Sequence, residues 1–303
     1  MAPQPTRRID VRISDSDGLL RLLDLEGEGA RTDEDIFLGA TPESPHARVF
    51  GGQVLAQAVV GASRTVEPDR GIHSMHAYFL RPGDAHQPIT FGVQRLRDGR
   101  SFSARRVHAY QNGVPILSMV ASFQVPSQGL EHQAEIALDD VPEPESLPTT
   151  ADLLGKVEHP AAQDWAFNRP FDVRHVTAPL YLRAPDASER TPSNAVWFKT
   201  FGEMPQDQAT HRAALAYASD YTILEPVLRR HGVAWTRRGM SVASLDHAMW
   251  WHRDVRTDDW LLYVQESPSA SGARGLGVGK IFARDGILVA SVAQEGMLRL
   301  PEI

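Results

Sequence analysis

Two long stretches of this chain alternate apolar and polar residues in the same rhythm. The first, HAYFLRPGDAHQPITFGVQRLRDGRSFSARRVHAYQNGVPILSMVASFQV, carries Asn112-Gly113 between two alternating runs. The second, AMWWHRDVRTDDWLLYVQESPSASGARGLGVGKIFARDGILVASVAQEGM, carries Asp285-Gly286 at the matching place. Alternation with period two predicts half-buried strands, and Asn-Gly or Asp-Gly between them predicts a hairpin, because both central residues of a type I′ turn need positive φ. The two turns lie 173 residues apart. The chain is therefore a weak internal repeat, in strand pattern and turn placement more than in identity.

One helix candidate precedes each block. GGQVLAQAVVGASRTV, residues 51 to 66, is rich in small residues and can lie close to a sheet. DQATHRAALAYASDYTILEPVLRRHG, residues 207 to 232, has Asp207 as a plausible N-cap and Gly232 as a C-terminal stop. Pro226 falls inside it and should kink or split the helix near residue 222. Between the halves, residues 126 to 165 are proline-rich and acidic without sustained periodicity, which predicts a linker. The expected fold is α+β, with an N-terminal unit over 15–125 and a C-terminal unit over 166–303. Each wraps a twisted antiparallel sheet around one central helix, and the two sheets pair edge to edge into one extended sheet.

Composition narrows the chemistry. At 42% hydrophobic and 23% charged residues the chain reads as globular. No apolar run reaches the roughly 18 to 20 residues of a membrane-spanning helix, and neither end carries a targeting signal, so a cytoplasmic setting is expected. Zero cysteines exclude disulfides, a thiolate nucleophile and Cys-ligated metals. A net charge of −7 argues against nucleic acid as a partner. GARGLGVGK, residues 272 to 280, fails as a phosphate loop because Arg274 and Ile281 stand where Gly and Ser or Thr are required. Its glycines suit a bulge or a close approach instead.

Two polar residues, Asp220 and Gln294, stand out against apolar surroundings, and one short segment is dense with reactive types. Asp220 interrupts AALAYASDYTIL on a stripe shared with Ala213, Ala216, Leu224 and Val227, where an uncompensated carboxylate is costly to bury. Capping of a second helix after a break accounts for it as well as function does. Gln294 ends the apolar row Leu288, Ala290, Val292 and must find partners, a role that structural amides also fill. Ser244, Asp246 and His247 suggest a Ser-His-Asp triad. In one continuous strand, though, Ser244 and His247 point to opposite faces. The same parity separates His247 from His252 and removes a metal site.

Six segments carry a resemblance to a known family. They are VFGGQVLAQA (49–58), HSMHAYFLRPGD (73–84), RDGRSFSARRVHAYQNGVPI (97–116), ASDYTIL (218–224), LDHAMWWHR (245–253) and GILVASVAQEG (286–296). In this order they resemble the type II acyl-CoA thioesterases, which are double-hotdog enzymes. By motif, the resemblance implies a catalytic set of Asp220, Ser244 and Gln294. It implies hydrolysis of medium- to long-chain fatty acyl-CoA by an activated water, with no cofactor and no metal. Backbone N–H groups at Gly51 and Gly52 are the expected oxyanion donors, and Arg105, Arg106 and Arg274 are candidates for the CoA phosphates. A homo-oligomer is expected from the management of sheet edges. A non-catalytic acyl-CoA-binding protein and, less favoured, a hotdog hydratase are the competing assignments.

Overall fold

In the computed structural model, residues 13–30, 33–42 and 47–301 are described. The first half opens with α1 (Ser16–Leu23), β1 (Glu26–Ala30), β2 (Glu34–Gly39) and α2 (Gly51–Ser63). The first alternating block then forms β3 (Gly71–Phe79), β4 (Ile89–Asp98), β5 (Phe102–Gln111) and β6 (Val114–Gln124). After α3 (Thr150–Leu154) and α4 (Pro160–Phe167), the second half runs β7 (Phe171–His175), β8 (Ser193–Thr200), α5 (Gln208–Ser219) and α6 (Glu225–Arg230). It closes with β9 (Ser241–Ser244), β10 (Asp246–Trp251), β11 (Leu261–Ser271), β12 (Arg274–Ala283) and β13 (Leu288–Arg299).

These strands make a single 13-stranded sheet in the order β1-β2-β4-β5-β6-β3-β10-β13-β12-β11-β8-β7, with β9 on β13. The halves join where β3 runs antiparallel to β10, Met75 opposite Met249. One apolar core spans both halves and takes in Met75, Met249, α2 and α5. Ala213, Ala214 and Ala216 on α5 are fully buried. Side chains this small let α5 pack tightly against α2 and the sheet.

The turns follow the sequence in place more than in type. Asn112 (φ 51°) and Gly113 (φ 74°) form the predicted two-residue connection between β5 and β6. Asp285-Gly286 is different, because only Gly286 has positive φ (84°). Its N–H donates to Ala283 O at 2.9 Å within a longer loop, and the β12–β13 register slips beside it. The two-residue turn of the second half is instead Gly272-Ala273, at φ 57° and 60°.

The 207–232 segment splits as expected. Asp207 caps α5 by accepting the N–H groups of Ala209 and Thr210. Pro226 sits in the first turn of α6, where its missing N–H costs nothing. Gly232 (φ 67°) ends α6, with Gly232 N bonded to Arg229 O and Val233 N to Leu228 O, the paired bonds of a Schellman motif. The 220–224 turn between the helices presses on β12. A Cβ at Gly277 would stand 2.1 Å from Ile223 O, and one at Gly275 would stand 2.6 Å from Val227. Gly275 and Gly277 of the failed phosphate loop thus serve close approach.

Segment 126–165 is more than a tether. Ile136, Leu138, Val141 and Leu147 pack on Trp197, Trp260 and Leu262, a cluster separate from the main core. Leu154, from α3, and Ala162, from α4, form a small core of their own with Tyr181. Among the described residues no helix is long and apolar enough to cross a membrane.

Candidate active site

Helix α5 ends at Ser219, and Asp220 (φ −84°, ψ −11°) is its C-cap residue. The Asp220 carboxylate does not start α6, whose N-cap is Leu224. It reaches across to the other half and accepts the Gly52 N–H at 2.9 Å. Helix α2 has no side-chain cap of its own at Phe50. Asp220 therefore supplies one, placing negative charge at the positive end of that helix. The approach needs glycine: a Cβ on Gly51 would lie 2.7 Å from Asp220 Oδ2, and one on Gly52 would lie 2.3 Å from Tyr217 O.

The other Asp220 oxygen faces two side chains from the sheet. Gln294 Nε2 donates to Asp220 Oδ1 at 2.9 Å and to Ser244 Oγ at 2.9 Å. Ser244 Oγ stands 3.4 Å from Asp220 Oδ1 and, having accepted from the amide, turns its proton toward the carboxylate. Carboxylate, amide and hydroxyl thus converge on one point.

A fourth residue holds the amide. His247 Nδ1 lies 2.5 Å from Gln294 Oε1, and its Nε2 lies 3.0 Å from Ser219 Oγ. Because Oε1 only accepts, Nδ1 carries the proton. His247 is fully buried, and burial pulls its pKa down to about 4, so the ring is neutral at pH 7. Parity in a continuous strand had set His247 and Ser244 on opposite faces. The strand is not continuous. From Ser244 opposite Gly296 to Ala248 opposite Ala293, four residues of β9–β10 match three of β13. This bulge at Leu245 turns both side chains to Gln294. Asp246 is spent on the bulge, its carboxylate accepting the Glu295 N–H at 2.8 Å.

Burial pushes the Asp220 carboxyl up to about 6, against the opposing pull of hydrogen bonds from Gln294, Gly52 and Ser244. Near neutrality it is mostly ionised yet weakly solvated, which suits a general base. Strand β11 fixes its backbone from both sides. Tyr263 OH donates to Ser219 O at 3.1 Å, and Gln265 Nε2 donates to Thr222 Oγ1 at 2.6 Å. A cavity of about 1010 Å³ opens beside Asp220, lined in part by Phe50, Tyr217, Tyr221 and Val242.

Both halves match known proteins. Residues 40–124 match the family model "Acyl-CoA thioesterase N-terminal domain", and residues 167–297 match "Acyl-CoA thioesterase". Acyl-CoA thioesterase 2 of Haemophilus influenzae is 40% identical over 289 residues, covering 94% of this chain and 98% of that protein. The chain belongs to the acyl-CoA thioesterase family. Human acyl-coenzyme A thioesterase 8 is 37% identical, with 88% of this chain and 86% of that one covered. The crystal structure of an acyl-CoA thioesterase II from Mycobacterium marinum superposes with a TM-score of 0.73 at 42% identity, covering 93% and 97% of the two chains. A hot dog protein from Alicyclobacillus acidocaldarius, at 18% identity, shares the fold with a TM-score of 0.73 over 93% of this chain and 97% of its own. The chain is thus a double-hotdog acyl-CoA thioester hydrolase of the type II group.

The three arginines expected at the CoA phosphates of this thioesterase differ in setting. Arg105 is 1% exposed, so it cannot meet a ligand at the surface. Its guanidinium donates to Thr65 Oγ1 and O, to Asp98 and to the carbonyls of Arg97 and Ala104, which makes it a strut inside the first half. Exposed Arg106 donates to Gln94. Arg274 pairs with Glu295 at 3.0 Å and lines a separate apolar cavity of about 270 Å³. None of the three lines the cavity beside Asp220. Among the described residues no three His, Asp or Glu side chains gather to hold a metal ion.

Proposed function

We propose that this thioesterase hydrolyses medium- to long-chain fatty acyl-CoA by direct attack of water held by Asp220, Gln294 and Ser244. The carrying observation is the double donation of Gln294 Nε2, at 2.9 Å to both Asp220 Oδ1 and Ser244 Oγ. It fixes the carboxylate and the hydroxyl toward a common point from which a water can be oriented. Asp220 takes a proton from that water as it adds to the thioester carbonyl, and the thiolate of CoA leaves as the tetrahedral intermediate collapses. The Gly52 N–H expected as an oxyanion donor is taken by Asp220, so in this scheme the Gly51 N–H faces the developing oxyanion, assisted by the dipole of α2. Ser244 is a weak nucleophile here, since His247 contacts Gln294 and not the hydroxyl.

The chain-length assignment is supported by apolar surface running away from the site. Gly296, packed under Leu224, and Leu298 continue the face of Gln294 along β13, and Val242 continues that of Ser244 on β9. They lead toward the smaller cavity, lined by Val227, Leu228, Val233, Met240, Leu298 and Leu300 among others. A panel of acyl-CoA esters assayed for thiol release tests this, together with rapid-quench mass spectrometry. The expected outcome is activity rising from short to long chains with no acyl adduct on Ser244. An acyl-Ser244 species formed at the rate of turnover would replace water with serine as the nucleophile.

We further propose that the enzyme acts as a homo-oligomer. Support comes from Tyr78, Val120 and Trp250, which expose 61%, 45% and 36% of their surface on neighbouring strands at the β3–β10 junction. Sedimentation showing a monomer at micromolar concentration would remove this part of the proposal.

A further inference from the structure

CoA is a polyanion and the chain carries a net charge of −7, so binding needs cations concentrated locally at the site. The two arginines lining the large cavity are Arg48 and Arg169. Arg48 is exposed on the rim. Arg169 is half-buried, just beyond the end of α4, in the stretch that leads into the second half.

Its surroundings set Arg169 apart from the other arginines of the second half. Its Cζ stands 4.4 Å from the centroid of the Tyr221 ring and 5.4 Å from that of Trp165. Tyr221 follows Asp220 in sequence, and its ring stacks on Phe50, with centroids 5.0 Å apart. Phe50 in turn precedes Gly51. The guanidinium therefore caps an aromatic stack that borders both Asp220 and the start of α2. Arg174, Arg212 and Arg256 are matched by Asp172, Asp254 and Asp258 at 2.9, 2.9 and 2.6 Å. Buried Arg229 bonds to Asn194 and to the Ala178 carbonyl. Arg169 bonds to the Tyr181 hydroxyl and is attracted by the buried Glu225 carboxyl, but among the described residues it makes no direct ion pair like those of Arg174, Arg212 and Arg256. Asp164, which lines the same cavity, takes the Asn168 amide at 3.3 Å.

A guanidinium stacked on an aromatic face keeps its in-plane N–H groups for another partner, and their fork matches phosphate oxygens. The Glu225 carboxyl attracts this guanidinium without a direct ion pair, which leaves a ligand phosphate to supply the close counter-charge. We infer that Arg169 is the phosphate anchor of the CoA moiety and so sets the enzyme's preference for CoA esters over phosphate-free thioesters. The inference rests on the reading that thioesters are cleaved at Asp220, and it names the residue that grips the leaving group.

The test compares one acyl group on CoA and on N-acetylcysteamine, which has no phosphate. The quantity read is the ratio of kcat/KM for the two esters, in wild type, Arg169→Gln and Arg169→Lys. The expected result is a ratio that falls roughly 10-fold or more in Arg169→Gln, through KM for the CoA ester, and is partly kept in Arg169→Lys. In wild type the ratio should also fall as salt rises, and in Arg169→Gln it should not. Equal losses on both esters would reduce Arg169 to a structural stack and overturn the assignment. An unmoved ratio would overturn it too. A wild-type enzyme that cleaves neither ester would instead refute the proposed function.

Discussion

Asp220 Oδ2 accepts the N–H of Gly52 at 2.9 Å, so the carboxylate of one hotdog half closes the helix of the other. The candidate general base is thereby part of the packing between halves. Its position depends on two glycines that let α2 come near and on a strand bulge that aims its partners.

Gly52→Ala tests the approach. The added Cβ would meet Tyr217 O, a backbone atom, at 2.3 Å, so α2 must shift from α5. The expected cost is about 1 to 3 kcal/mol of stability, with a fall in kcat larger than the change in KM. Urea unfolding and steady-state kinetics on the same variant check both, and wild-type stability would show that the helices have slack.

His247→Leu removes the donor that orients the Gln294 amide at 2.5 Å. With Oε1 unheld, Nε2 no longer points to Asp220 and Ser244 together. A roughly 10- to 100-fold loss of kcat at little-changed KM is expected. Gln294→Ala in the same background should then add little, because the two act as one unit. Fully additive losses would separate them.

Arg105→Leu should behave as a stability variant. Removing a guanidinium that satisfies Thr65, Asp98 and two carbonyls should cost roughly 2 to 4 kcal/mol, measured as a lowered Tm. The KM for acyl-CoA should stay within about twofold of wild type, and a large rise would return Arg105 to the ligand.

Stability and activity should respond to pH in opposite directions at Asp220. Its folded-state carboxyl is raised from 3.8 to about 6, so the stability it contributes is present below about pH 4 and is lost as pH rises through about 6. Against Asp220→Asn as reference, wild type should lose about 2 to 3 kcal/mol between those limits. Glu225, raised to about 7 by burial, acts in the same sense. His175 and His247, lowered to about 3 and about 4, act in the opposite one, so only the difference between variants isolates Asp220.

Much of the fold was legible because alternation and turn chemistry are local. The Asn112-Gly113 hairpin, the split at Pro226 and the stop at Gly232 each follow from a few neighbouring residues. The type of the Asp285-Gly286 loop did not, since a loop residue at Ile287 and a register slip decide it. Site residues divide the same way. Asp220, Gln294 and Ser244 stood out as polar groups in apolar rows or beside a recognisable motif. His247 was set aside because parity presumes a regular strand, and a bulge has no strong signal in residues 241 to 251. Arg105 misled because charge alone does not say whether a side chain points into the protein, as it does there, or into a cavity, as Arg169 does.

The most direct test of the central claim is the pH dependence of kcat/KM for a long-chain acyl-CoA, in wild type and Asp220→Asn. Wild type should gain activity as pH rises through an apparent pKa of about 6, where Asp220 ionises. Asp220→Asn should lose at least about 100-fold in kcat and that inflection with it. An Asn variant with wild-type turnover and an unchanged profile would show that Asp220 caps a helix and does nothing to the water.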